Sequence, residues 1–161
     1  MKTLLLIRHA KTEERSTSGR DFDRMLTKRG RDNAQQLAFE LLAMNYQPDV
    51  CLSSSAKRAR ETTTILSGSL QLPEYAVVYR DDLYLADESL MLSQINALDD
   101  RVQQLMLVGH NPGISGLAHY FNQSLIAPLP TCGAVSLRLN AEHWTDLFED
   151  CASVERTIML Q

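Results

Sequence analysis

The chain has 161 residues, 44% of them hydrophobic and 22% charged, and a formal charge of −4. That is enough apolar material for one core, so a single domain over residues 1–161 is expected. The mild negative balance gives no electrostatic reason for duplex nucleic acid or an anionic membrane to be the main partner.

Met1 and Lys2 precede an apolar run, but Arg8 and His9 cut it far short of a secretory signal, and no stretch reaches the ~20 apolar residues of a membrane helix. Cys51, Cys132 and Cys151 are widely spaced, without a CxxC pair, and read as reduced thiols rather than as a disulfide framework or a zinc site. Together these features point to a mature cytoplasmic protein, and no cofactor is expected.

Residues 3–7 are short, apolar and partly β-branched, the pattern of a strand buried on both faces. A long polar loop follows over residues 10–25. From Thr27, read as an N-cap, apolar residues recur at Ala34, Leu37, Ala38, Leu41 and Leu42, the spacing of an amphipathic helix that Pro48 and Asp49 end. Residues 50–52 read as a second strand. Residues 56–70 read as a helix with Ala59, Thr62, Thr63, Leu66 and Leu70 on one side. A third strand is expected over 77–79, a helix over 88–98 with Met91, Leu92, Ile95 and Leu98 inward, and a buried strand over 104–109. Asn111 then reads as an N-cap and Pro112 as the first residue of a helix carrying Ile114, Leu117, Ala118 and Phe121. Beyond Pro128 and Pro130, Val135, Leu137 and Leu139 alternate with Ser136, Arg138 and Asn140, as in a half-exposed strand. The last stretch of the chain has no clear period. Alternating strands and helices imply an α/β fold with a mainly parallel sheet.

In open α/β sheets ligands gather at the carboxyl ends of strands. The first strand ends on Arg8 and His9. The second runs through Ser53, Ser54 and Ser55 to Arg58, and the strand over 104–109 ends at His110, before a helix start. Guanidinium forks and a helix N-terminus match phosphate oxygens, so a phosphoryl group is the ligand these residues describe. One histidine can attack phosphorus as a neutral imidazole while the other and the arginines hold the oxygens. His119 and His143 read as surface histidines, Lys57 and Arg60 as solvated helix residues, and the serine run as loop and cap.

"LIRHAKT" resembles the RHG signature of the histidine phosphatase superfamily, "LSSSAKRARETT" is similar to its S-x-x-x-R-A-x-x-T element, and "LVGHNP" resembles its second-histidine element. The order agrees, and the matches cover most of the chain. Short length, Asn-Pro after His110, and "RMLTKRG" are most similar to the SixA-type phosphohistidine phosphatases. The resemblance implies a three-layer, phosphoglycerate-mutase-like sandwich without a cap domain. It implies His9 as nucleophile and future phosphohistidine, with Arg8, Arg58 and His110 forming the phosphate pocket, Arg24 near its rim, and no metal. Ala10 stands where the motif has glycine, and would be strained if that position needed positive φ.

Members that cleave phosphate esters need a carboxylic acid for the leaving group, and no motif position here supplies one. Asp81, Asp82, Asp87 and Glu88 lie in the right region, although Asp87 and Glu88 also suit a helix N-terminus. A phosphoramidate asks for less, because imidazole has a conjugate-acid pKa near ~6.5 and departs readily when protonated. The expected substrate is therefore a phosphohistidine protein such as a histidine-phosphotransfer domain. A small-molecule phosphomonoesterase using Asp87 or Glu88, and a phosphohistidine-binding module without activity, are the alternatives.

Overall fold

The structure is a computed structural model, and it describes residues 1–160. Six strands form one sheet in the order β3-β2-β4-β1-β5-β6: β1 is Lys2–Arg8, β2 Val50–Ser54, β3 Val77–Arg80, β4 Gln104–Gly109, β5 Ala134–Leu139 and β6 Ala152–Ile158. Strands β1 to β4 are mutually parallel, whereas β5 runs antiparallel to both β1 and β6. The expected mainly parallel sheet is present, and the antiparallel pairs lie at one side of it.

Alternation along the central strands divides the core. Leu5, Ile7, Met106 and Val108 face α1 (Lys28–Ala43) and α2 (Lys57–Ser69). Leu4, Leu6, Leu105 and Leu107 face α3 (Glu88–Asn96) and α4 (Gly113–Phe121). Helices thus cover both faces, which is why β1 and β4 read as continuous apolar runs. Thr27 caps α1 by accepting from the Gly30 N–H, as the sequence predicts. Leu42 departs from expectation: it is 48% exposed, because the buried stripe of Ala34, Leu37, Ala38 and Leu41 leaves it at the edge of the face.

The other difference lies at α4. The helix starts at Gly113 with Pro112 as N-cap, and Asn111 uses its side chain elsewhere, donating to the Leu129 carbonyl and accepting from the Ser115 hydroxyl. Pro112 has helical dihedrals but no N–H, so the first turn closes from the Ile114 N–H back to the His110 carbonyl at 2.8 Å. Two close approaches fix the surrounding loops. A Cβ on Gly30 would stand 2.1 Å from the Lys11 carbonyl oxygen, and one on Gly113 2.0 Å from that of Ala86. No helix among the described residues is long and apolar enough to cross a membrane.

Candidate active site

Parallel pairing places the ends of β1 and β4 side by side, Arg8 opposite Gly109, with β2 paired to the other edge of β4. Arg8, His9, Ser54, Arg58 and His110 therefore meet at the carboxyl ends of the central strands. The His9 backbone is held from three sides. Its N–H donates to the Gly109 carbonyl at 3.1 Å, its carbonyl accepts from Cys132 at 3.0 Å, and the next N–H, of Ala10, donates to the Thr62 hydroxyl at 3.0 Å. Ala10 is fully buried and is not among the residues with positive φ, so alanine sits in this turn without the strain considered above.

The hydrogen bonds fix the His9 tautomer. Nδ1 lies 2.8 Å from the Ala10 carbonyl oxygen, which can only accept, so Nδ1 carries the proton. Nε2 then carries the lone pair, which accepts from Arg58 Nε at 3.3 Å. Burial, reinforced by Arg58, Arg8 and Arg24, brings the His9 pKa down to about 4 against the opposing pull of the Ala10 bond. The ring is neutral at physiological pH.

His110 stands with its ring centroid 5.2 Å from that of His9. Its Nε2 is 2.7 Å from the Ser54 hydroxyl, whose proton has no other acceptor among the described residues and so is donated to the ring. That leaves the proton on Nδ1, a buried donor with no acceptor among the described residues. Arg8 Nε is another, while its Nη1 donates to the Leu129 carbonyl. Burial, His9 and Arg58 bring His110 down to about 3. Unsatisfied buried donors beside a neutral imidazole lone pair form a site suited to an anion.

The S-x-x-x-R-A-x-x-T run now has a physical reading. Ser54 orients His110, Arg58 reaches His9, Ala59 is fully buried, and the Thr62 hydroxyl donates to the Arg58 carbonyl while accepting from Ala10. Ser54 was legible only as a loop or cap residue. It lies inside β2, and its contact with His110 spans segments far apart in sequence. Arg24 does not touch the histidines. It donates to the Glu13 carbonyl, the Thr12 hydroxyl and the Asp21 carboxylate.

Sequence reading missed Asp21 and Tyr84. Arg58 donates through Nη1 to the Asp21 carbonyl at 2.8 Å and through Nη2 to the Asp21 carboxylate at 2.9 Å; Tyr84 donates its hydroxyl to the same carboxylate. Tyr84 also packs edge-on to His110, with centroids 5.5 Å apart. Three of the four acids considered above have hydrogen-bond partners elsewhere. Asp81 accepts from Ser55, Asp82 from Gln94, and Asp87 caps α3 through the Leu90 N–H, while Glu88 packs over Gly116. His119 and His143 are exposed, the latter paired with Asp100.

Both site histidines are expected to stay neutral well below the ordinary histidine range, with ring-nitrogen NMR midpoints near about 4 and about 3. A midpoint near ~6.5 for either would contradict this environment. The sign of the linked stability follows. Between the unfolded value and these lowered ones only the unfolded chain takes up the protons, so stability falls as pH drops through that window.

The sequence model of the histidine phosphatase superfamily (branch 1) matches residues 4–84. An uncharacterised protein of Mycobacterium tuberculosis is 31% identical over 144 residues, covering 83% of this chain and 87% of its own. A structure from Agrobacterium tumefaciens designated phosphohistidine phosphatase SixA superposes with a TM-score of 0.84 at 29% identity, over 99% of this chain and 98% of that one. A second structure so designated, from Nakamurella multipartitia, gives 0.83 at 24% identity over 98% and 95%. The chain thus belongs to branch 1 of the histidine phosphatase superfamily, as a phosphatase of the SixA type.

Proposed function

We propose that this protein removes the phosphoryl group from phosphohistidine on another protein, with His9 as nucleophile. One observation carries the reading: a neutral His9 presents its Nε2 lone pair beside donors that lack acceptors, on Arg8 and His110. Attack forms a bond from Nε2 to phosphorus as the substrate's P–N bond breaks and its electron pair returns to the departing imidazole. Nucleophile and leaving group are the same kind of ring, so the transfer exchanges one P–N bond for another and needs no strong acid. Water then adds to phosphorus, the pair returns to His9 Nε2, and the water protons leave with phosphate. Arg8, Arg58 and the His110 Nδ1–H hold the oxygens in both steps, with Arg24 acting through Asp21 at the rim.

The engagement of Asp81, Asp82 and Asp87 in caps and loop contacts supports a P–N substrate over an ester. One sheet running from Lys2 to Ile158 supports treating residues 1–161 as a single domain. Three free, buried thiols suit a reducing compartment, so we place the protein in the cytoplasm, acting on a histidine-phosphotransfer partner in signalling.

The test offers the purified protein a radiolabelled histidine-phosphotransfer domain and, in parallel, phosphoserine and a sugar phosphate. Phosphate release much faster from the phosphodomain supports the reading. Equal rates on the esters, or release from the esters alone, would replace it with a small-molecule phosphomonoesterase, and binding without release would replace it with a recognition module.

A further inference from the structure

Asp21 is the charged group of the His9 cluster to which the mechanism above gives no contact with phosphorus or the phosphoryl oxygens. It shares Arg58 with the nucleophile: the same guanidinium donates to His9 Nε2 at 3.3 Å and to the Asp21 carboxylate at 2.9 Å. One carboxylate oxygen accepts from Arg58 and Tyr84, the other from Arg24 alone. The side chain is 44% exposed, and with Arg15, Arg20 and Arg24 it lines a hollow of about 320 Å³. An acceptor position thus remains free on the exposed carboxylate, whose Oδ1 has Arg24 as its one donor. The Tyr84 hydrogen bond, with those of Arg24 and Arg58, holds Asp21 well below the usual carboxylate range, so it is ionised and has no proton to give.

We propose that Asp21 selects the leaving group: its free edge accepts a hydrogen bond from the remote ring N–H of a phosphorylated imidazole and so favours phosphohistidine over phosphate esters. This rests on the reading of His9 as nucleophile. A phosphorylated ring that holds a proton on its other nitrogen leaves as neutral imidazole once the P–N pair returns to it. Asp21 stabilises that protonated ring and thereby its departure. An ester leaving group offers no N–H and gains negative charge as it departs, so the same carboxylate repels it. Fixed anions beside a phosphate site thus have a use, provided they face the leaving group and not the phosphoryl oxygens.

The experiment measures kcat/KM for phosphoimidazole and for p-nitrophenyl phosphate with the wild type, Asp21→Asn and Tyr84→Phe. Asp21→Asn is expected to lower the value for phosphoimidazole about tenfold or more, the size of one charge-assisted hydrogen bond, and to raise that for p-nitrophenyl phosphate. Tyr84→Phe withdraws a donor but leaves the charge, so both values fall together and their ratio stays near that of the wild type. The ratio within one preparation does not depend on how much of it is folded. A ratio unchanged by Asp21→Asn overturns the proposal and leaves Asp21 as a residue that only positions Arg58. A wild type that cleaves p-nitrophenyl phosphate but not phosphoimidazole overturns it as well, whereas the broader reading is judged separately by the phosphodomain assay.

Discussion

His9→Ala is expected to reduce phosphate release from a phosphohistidine protein by a factor on the order of 10³ or more, since the covalent route disappears with the nucleophile. The wild type, quenched during turnover, should carry label that survives alkali and is lost in acid, as a phosphohistidine is. His9→Ala should carry none. The substitution removes a ring whose hydrogen-bond partners are the Ala10 carbonyl and Arg58, so melting temperature should change little compared with the rate. Release within tenfold of the wild type, or label persisting on His9→Ala, would move the nucleophile elsewhere, with His110 the next to test.

Arg58→Lys should cost about 10² to 10³ in kcat/KM, although the positive charge is kept. Arg58 divides its donors between His9 Nε2, the Asp21 carbonyl and the Asp21 carboxylate, with its guanidinium 5.7 Å from the Tyr84 ring centroid. An ammonium cannot reproduce that fork. Arg58→Ala adds a second readout. Arg58 is one of the causes of the lowered His9 pKa, so its removal should move the His9 NMR midpoint upward from about 4. An unmoved midpoint with a normal rate would mean that the guanidinium is there for packing alone.

Much of this was legible because the site breaks local rules that the rest of the chain obeys. A buried strand that ends on Arg8 and His9, and a helix that opens with Lys57, Arg58 and Arg60 against its own dipole, are poor choices for stability, and such conflicts mark function. The central strands were readable because burial on both faces writes itself as an unbroken apolar run. Strand β6 was not. All but its ends is exposed, its sequence ASVERTI has no apolar alternation, and Glu155 and Arg156 lie along an edge of the sheet, where charge discourages further pairing. Asp21 was invisible for another reason. It sits in a polar loop among ordinary loop residues, and its meaning comes from Tyr84 and Arg58, which sequence places far away. Ser54 and Thr62 likewise acquired roles only when β2, α2 and the ends of β1 and β4 came together.

Strand β1 has β4 on one side and β5 on the other, so the backbone leading to His9 is laddered along both edges. Asp21, by contrast, belongs to the long segment between β1 and α1, where it lies in a short 3-10 turn and is tied to the body largely through side chains. Amide exchange should register this as slow protection along Leu4 to Ile7 and early exchange around Asp21. The two halves of the pocket therefore rest on ground of different firmness. The half that performs the attack is bound into the most cooperative part of the molecule and tolerates little change, while the half that meets the departing group rides on a surface loop. Substitutions there can retune which substrates are accepted without putting the fold at risk, and drift in substrate preference among such phosphatases would be expected to begin in that loop.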